Sequence, residues 1–247
     1  MSSFLFRGSF ALLAKAPGNL TSGVAQRFVA PTALRIHLQS PNMIADPYDP
    51  NAPLFSRFKK FFFSATAYAR IKQSMMSYSP SKFAKQAVED WKTINQALCE
   101  DDKSTLRNHV TEMAMSKFKS MLRNLTSIPG RQLQLQWSMP LVRNSTVMAH
   151  RVAKIQGTDD EFAQVTVKIE SQQIVAVIDV TPKKKGSLSK EEPVVVSGDA
   201  FVPKDVTEYL VFERNIAKAK VAQTKWLYIG KIVPGEKTSD KAEDVTK

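Results

Sequence analysis

Cysteine is almost absent from the sequence, because Cys99 is the only one among 247 residues. A single cysteine excludes an internal disulfide and any metal cluster held by several thiolates. Histidine is also scarce, and three scattered residues do not make a convincing set of metal ligands. No uncharged apolar run reaches the ~18 residues that a membrane-spanning helix requires. The sequence therefore predicts neither a metal nor a cofactor.

Acidic residues are missing from the first forty-five positions, and the first one in the chain is Asp46. The basic residues of this segment are Arg7, Lys15, Arg27 and Arg35. A basic, serine-containing, acid-free segment is typical of a mitochondrial transit peptide, which we predict for residues 1–45. A disordered basic tail is the alternative. Residues 46–53 contain three prolines and are predicted to form an extended linker.

Positive charge is in excess, with 35 Lys and Arg against 23 Asp and Glu and a formal net charge of +12. Such an excess favours an anionic partner, which is either nucleic acid or an anionic membrane surface. A basic soluble protein without such a partner is the alternative.

Residues 54–78 are predicted to form a basic amphipathic helix. Its apolar arc at 100° per residue contains Leu54, Phe55, Phe58, Phe61, Phe62, Ala65, Tyr68 and Ala69. Its basic residues are Arg57, Lys59, Lys60, Arg70 and Lys72. Such a helix binds an anionic membrane surface or lies across RNA phosphates, and an ordinary core helix is the alternative. We expect the five basic residues to contact lipid headgroups or RNA phosphates, and Phe62 and Phe63 to enter the membrane interface.

Two further helices are predicted as an antiparallel hairpin. Ser79 or Ser81 can cap the first, and its core stripe is Phe83, Ala87, Trp91, Ile94 and Leu98. The second follows Asp102 as one continuous helix and stops before Pro129. His109 and Glu112 lie one turn apart on it and can pair, but a metal or catalytic role is disfavoured.

From Arg131 the hydrophobic period changes to two, which indicates strands. Strands are predicted at residues 133–139, 146–155 and 162–180, with a kink or bulge at residues 171–173, and a closing hairpin at 206–214 and 225–233. Pro203 and Pro234 are expected to stop the hairpin strands. Helices followed by an antiparallel sheet predict an α+β domain over residues 79–234.

Two segments of this half of the chain are predicted to lack regular structure. Residues 181–199 are loop-like, and Lys183, Lys184 and Lys185 within them are candidate phosphate contacts, with a solvated loop as the default. Residues 235–247 are charged without pattern and are predicted to be disordered.

Five segments in order resemble the Tim44-like domain family: LCEDDKSTLRNHVTE, QLQWS, FAQVTVKIESQQIVAVID, VPKDVTEYLVFER and KWLYIGKIVP. The resemblance covers roughly residues 83–234 and is strongest to the form found in the mitochondrial large ribosomal subunit. It departs from that form at residues 180–200. The resemblance implies a cone-like domain in which N-terminal helices cover a strongly curved antiparallel sheet.

The resemblance also implies a function. It indicates a non-catalytic component of the mitochondrial large ribosomal subunit, or a receptor for it, near the polypeptide exit on the matrix side of the inner membrane. Ribosomal RNA, exit-site proteins, the membrane surface and the insertion machinery would be its partners, and no small-molecule substrate is expected. A subunit of the inner-membrane import machinery is the alternative. An enzyme with a pocket inside the cone is the third possibility, for which Asp179, Tyr209 and Tyr228 are the candidate polar groups.

Overall fold

The described residues form four helices followed by a four-stranded antiparallel sheet. The structure is a computed structural model that describes residues 53–126, 131–155, 157–181, 194–217, 222 and 224–232. The helices are α1 (Leu54–Ser74), α2 (Pro80–Cys99), α3 (Lys103–His109) and α4 (Glu112–Thr126). The strands are β1 (Leu133–Lys154), β2 (Glu161–Asp179), β3 (Val194–Asn215) and β4 (Leu227–Ile232), in the order β1-β2-β3-β4. The predicted α+β class is confirmed, whereas the cone shape stays a prediction.

The core lies between the helices and one face of the sheet. The predicted stripe of α2 is buried throughout, from Phe83 to Leu98, and packs in one cluster with alternate residues of β2. Those β2 residues are Ala163, Val165, Val167 and Ile169, each of which is 0% exposed. A fully buried large apolar side chain stabilises a fold by about 1.5–3 kcal/mol, so this cluster holds α2 against the sheet. Ser79 precedes α2 but makes no side-chain capping bond.

The predicted third helix is divided into α3 and α4 at Val110 and Thr111. Val110 forms a parallel bridge with Tyr228, and the Thr111 N–H donates to the Tyr228 carbonyl at 2.9 Å. The single-helix prediction is wrong because apolar spacing reports the buried face and not the continuity of the backbone. The predicted pairing of His109 with Glu112 is also not formed, since His109 Nδ1 lies 3.5 Å from Asp90 Oδ1.

Strand β1 is one strand where two were predicted. Its register against β2 shifts between Ser138 and Leu141, and twice more before Ala149. These irregularities break the alternation of apolar and polar residues, which is why the sequence reads as two shorter strands.

Strand β3 begins at Val194, inside the predicted loop, and continues through Pro203, the predicted stop. Asp199 pairs with Val175 while Lys204 pairs with Gln173, so residues 200–203 have no partner on β2. A proline is tolerated in such a bulge because no ladder hydrogen bond is lost. On β2 this register shift lies between Gln173 and Val175. It confirms the kink or bulge predicted at residues 171–173.

Candidate functional site

Helix α1 carries two apolar faces, and the aromatic one points away from the protein. The face against the sheet contains Ala67 and Ile71, and Met75 follows just after the end of the helix; all three are buried. The phenylalanines are exposed, with exposed fractions of 81% for Phe55, 61% for Phe58, 68% for Phe61, 56% for Phe62 and 55% for Phe63. At 100° per residue the centre of the Phe55–Phe58–Phe62 arc lies opposite the buried arc. The phenylalanines therefore do not form a core stripe.

The sequence pattern identified this arc of phenylalanines but did not show whether it faces the core or the solvent. Sequence reasoning selected Phe62 and Phe63 for the membrane interface, although the other phenylalanines of α1 are more exposed than these two: Phe55, Phe58 and Phe61. The spacing of four between Ala67, Ile71 and Met75 is the signal that identifies the buried side. These three side chains are not aromatic and Ala67 is small, so a search for the most hydrophobic stripe selects the phenylalanines instead.

Three of the five predicted basic contact residues lie beside the phenylalanines. Arg57 and Lys59 are exposed and Lys60 is half-buried. The Lys59 ammonium lies 5.9 Å from the centre of the Phe63 ring, within the range of a cation–π contact. The arrangement combines solvent-facing aromatic rings with positive charge on one half-helix.

The other two basic residues are engaged within the chain. Arg70 Nε and Nη2 each donate to the Glu161 carboxylate at 2.8 Å, which is a bidentate ion pair between α1 and β2. Lys72 Nζ donates to the carbonyls of Met76 and Tyr78 just after the end of α1. Both residues hold the C-terminal end of α1 in place. Lys183, Lys184 and Lys185 lie outside the described residues.

The second half of α1 is anchored to β1 around a buried histidine. The His150 backbone N–H donates to Ser64 Oγ at 3.0 Å, and Tyr78 Oη lies 2.9 Å from His150 Nε2. The Tyr68 ring packs 5.4 Å from the imidazole. Burial lowers the pKa of His150 to about 4, so the ring is neutral at physiological pH. These contacts fix the second half of α1 on the sheet, and the exposed aromatic first half extends from it.

The three polar groups considered for catalysis are not brought together. Asp179 ends β2 and accepts a hydrogen bond from the Thr181 backbone. Tyr228 lies in the core, with its ring stacked 5.9 Å from that of Phe118. Tyr209 pairs with Lys168 in the register, several residues away from Asp179 along β2. These residues do not define a common pocket.

Glu208 carries a buried carboxylate near the core, and no sequence pattern singles it out. Glu208 Oε2 accepts from Trp91 Nε1 at 2.9 Å and from Gln173 Nε2 at 2.8 Å, and Oε1 lies 3.3 Å from Lys231 Nζ. Gln173 Oε1 in turn accepts from Trp137 Nε1 at 3.0 Å. The network therefore ties α2 to all four strands with donors from this chain.

The described part of the chain contains neither a candidate metal site nor a helix that could span a membrane. No group of three or more His, Cys, Asp or Glu side chains there is arranged to hold a metal ion. No helix among the same residues is long and apolar enough to cross a bilayer.

Comparison with known proteins identifies related sequences for most of the chain. The family model described as the Tim44-like domain matches residues 64–232. This match begins before the motifs that indicated the resemblance, but it leaves the phenylalanines of α1 outside.

Curated relatives from several animals share the name large ribosomal subunit protein mL45. The protein from Drosophila melanogaster is 28% identical over 171 residues, which is 69% of this chain and 42% of the relative. That from Bos taurus is 27% identical over 179 residues, which is 72% of this chain and 51% of the relative. That from Caenorhabditis elegans is 25% identical, covering 88% of this chain and 62% of the relative. The chain thus spans roughly half the length of these relatives.

Proposed function

Because this chain belongs to the Tim44-like domain family, as its motifs predict, we propose that it is a non-catalytic component of the mitochondrial large ribosomal subunit. The observation that carries the proposal is the shared name of its relatives, a protein of the large ribosomal subunit. The basic excess of the chain agrees with binding to ribosomal RNA. A mitochondrial location agrees with the acid-free N-terminal segment.

The proposal places the protein on the matrix side of the inner membrane near the polypeptide exit, with α1 apposed to the lipid. The exposed phenylalanines support this position, because a half-helix with aromatic rings and basic flanks partitions into an anionic membrane interface. In this arrangement Phe62 and Phe63 enter the interface, while Arg57, Lys59 and Lys60 contact headgroups. Exit-site proteins and the insertion machinery are the neighbours at this position.

Sedimentation of a mitochondrial lysate on sucrose gradients at low and at high salt tests the ribosomal part of the proposal. We expect co-migration with the large subunit at both salt concentrations, since an integral subunit is held by many packed contacts as well as by charge. Co-migration at low salt alone would indicate a receptor held mainly by charge. Absence from ribosomal fractions at either salt would contradict the proposal.

That last outcome would favour the import machinery, which shares the domain family. The family match is the observation that supports this second candidate. Co-purification with import subunits, in the same lysate and without ribosomal proteins, would establish it.

Flotation with vesicles containing anionic phospholipid tests the membrane part. The triple change Phe55→Ser, Phe58→Ser and Phe62→Ser removes three exposed rings without touching the core. We expect a loss of roughly 1 kcal/mol per ring, or about a hundredfold in the partition coefficient for all three. Phe201→Ser is the single-ring control, because Phe201 is 82% exposed and lies in the β3 bulge and not on α1. Equal flotation of the triple variant and the wild type would refute the contact.

A further inference from the structure

A second basic surface lies in a cleft between α3 and α4. The cleft has a volume of about 320 Å³. Its floor is formed by Leu106, Met115 and Leu122, and its rim by Lys103, Lys119 and Arg123. The cations therefore surround a recess whose base is aliphatic. Sequence analysis did not select these residues, because they are separated along the chain and meet only through the fold.

The positive charges of the rim converge from two elements. Lys119 and Arg123 are one turn apart on α4, a spacing at which like charges repel each other and destabilise a helix. Lys103 begins α3 on the other side of the cleft. Asp101 is the carboxylate that lines the cleft, and it is 3.2 Å from Lys103. Three cationic side chains and one carboxylate thus line the cleft, a composition that favours an anionic ligand.

Both walls of the cleft are fixed by the fold. Asp102 caps α3 by accepting hydrogen bonds from the backbone N–H groups of Ser104 and Thr105, which orders the turn that carries Lys103. On α4 the Phe118 ring stacks on Tyr228 of β4. Because the cations are presented from ordered elements, less conformational entropy is lost when they bind a ligand.

The shape and surroundings of the cleft distinguish its partner from that of α1. The large apolar side chains that are exposed among the described residues lie on α1, just beyond its end, and on or beside β1, β2 and β3, and none lies on α3 or α4. A bilayer surface is broad and binds through apolar side chains that protrude into it, which this region does not offer. A recess with a basic rim fits a narrow polyanion such as a nucleic-acid backbone.

We propose that the α3–α4 cleft binds the phosphate backbone of RNA, with Lys103, Lys119 and Arg123 as the phosphate contacts. The inference rests on the proposed ribosomal function and assigns RNA contact to a surface separate from α1. The contact is sequence-independent, because the rim presents charge and the floor offers no hydrogen-bonding pattern that reads bases.

Fluorescence anisotropy of the full chain with a labelled 20-nucleotide oligouridylate, from 50 to 200 mM KCl, tests the proposal. The test variant is Lys119→Glu with Arg123→Glu. We expect about tenfold weaker binding or more at the lower salt, and a salt slope reduced by about 1.4, because each single-strand phosphate contact contributes about 0.7. The matched control is Lys82→Glu with Lys85→Glu, which changes the same net charge on exposed residues of α2.

The possible outcomes distinguish RNA binding at the cleft from an effect of total net charge and from binding to a membrane. An equal reduction of the slope in both variants would overturn the proposal, since binding would then follow total charge. An unchanged oligouridylate affinity with a loss of vesicle flotation would also overturn it, and would assign the cleft to lipid. Lys119→Arg with Arg123→Lys keeps the charge and is expected to bind like the wild type, which separates a charge effect from a folding defect.

The same variants distinguish the inference from the function on which it rests. A cleft variant that binds oligouridylate like the wild type would refute the inference, even though the wild type co-sediments with the large subunit. A wild type that binds oligouridylate through the cleft but is absent from ribosomal fractions would refute the proposed function alone.

Discussion

The pKa of a side chain depends on how the fold buries it, so a shifted pKa is the residue property least accessible from the sequence. Glu213 on β3 lies opposite Gln164 on β2, whose side-chain Nε2 is 3.4 Å from the carboxylate. Burial raises the pKa of Glu213 to about 7, well above its usual value of 4.5. Gln164 is 1% exposed, and its Oε1 has no hydrogen-bond partner. Burial of Glu213 and Gln164 therefore lowers the free energy of unfolding at neutral pH.

The charge of Glu213 makes the stability of the fold depend on pH. Its folded-state pKa is raised, so the folded state binds the extra proton between about pH 4.5 and pH 7, and stability is lost as the pH rises through this window. We expect Glu213→Gln to gain about 2–3 kcal/mol relative to the wild type between pH 5 and pH 8. Urea unfolding at four pH values measures the difference between the two proteins.

A control is needed because other groups titrate over the same range. Glu112→Gln removes one negative charge from an exposed position in the first turn of α4. A Glu213→Gln difference that stays flat from pH 5 to pH 8, or that matches the Glu112→Gln difference, would show that burial does not shift this carboxyl.

The elements themselves were largely readable from the sequence, apart from where they are interrupted. The α2 stripe and strand β2 follow simple periods of 3.6 and 2, and both were predicted close to their observed limits. The break between α3 and α4 arises from a contact with Tyr228, more than a hundred residues later in the chain. The outward direction of the α1 phenylalanines likewise depends on the packing of Ala67 and Ile71 against β1. Local pattern carries no information on such distant contacts.

A glycine in β3 shows how an element depends on its neighbour. Gly198 has φ +84, and a Cβ there would lie 2.2 Å from the carbonyl oxygen of Val175. We expect Gly198→Ala to destabilise the protein by roughly 2 kcal/mol or more, from the left-handed backbone and from the clash together. Thermal unfolding of the variant measures the loss.

The control for this substitution is another glycine with nearly the same backbone. Gly157 has φ +79, and a Cβ there meets nothing within 4 Å. Gly157→Ala is expected to cost only the conformational part, about 1–2 kcal/mol. Equal losses in the two variants would contradict the role assigned to the Val175 contact.

At the scale of the whole molecule, family and fold class were accessible from the sequence, whereas the surfaces were not. Five ordered motifs sufficed to indicate the Tim44-like domain, and the match over residues 64–232 agrees with them. The α3–α4 cleft and the Glu208 network gather residues from distant parts of the chain, and one sequence contains no signal for such convergence. The residues of α1 could be proposed for membrane contact because they lie close together in the sequence, and their contact with lipid stays a prediction.

The Glu208 carboxylate also bears on how the sheet reaches its final pairing. Long strands with several bulges have many near-equivalent alignments, and a slip of one residue turns every side chain to the opposite face. In the observed alignment the charge meets Trp91, Gln173 and Lys231. A slip of two residues would keep the carboxylate on the buried face but would move it away from these donors, at a cost of several kcal/mol. We therefore expect the network to favour the observed register over alignments shifted by two residues.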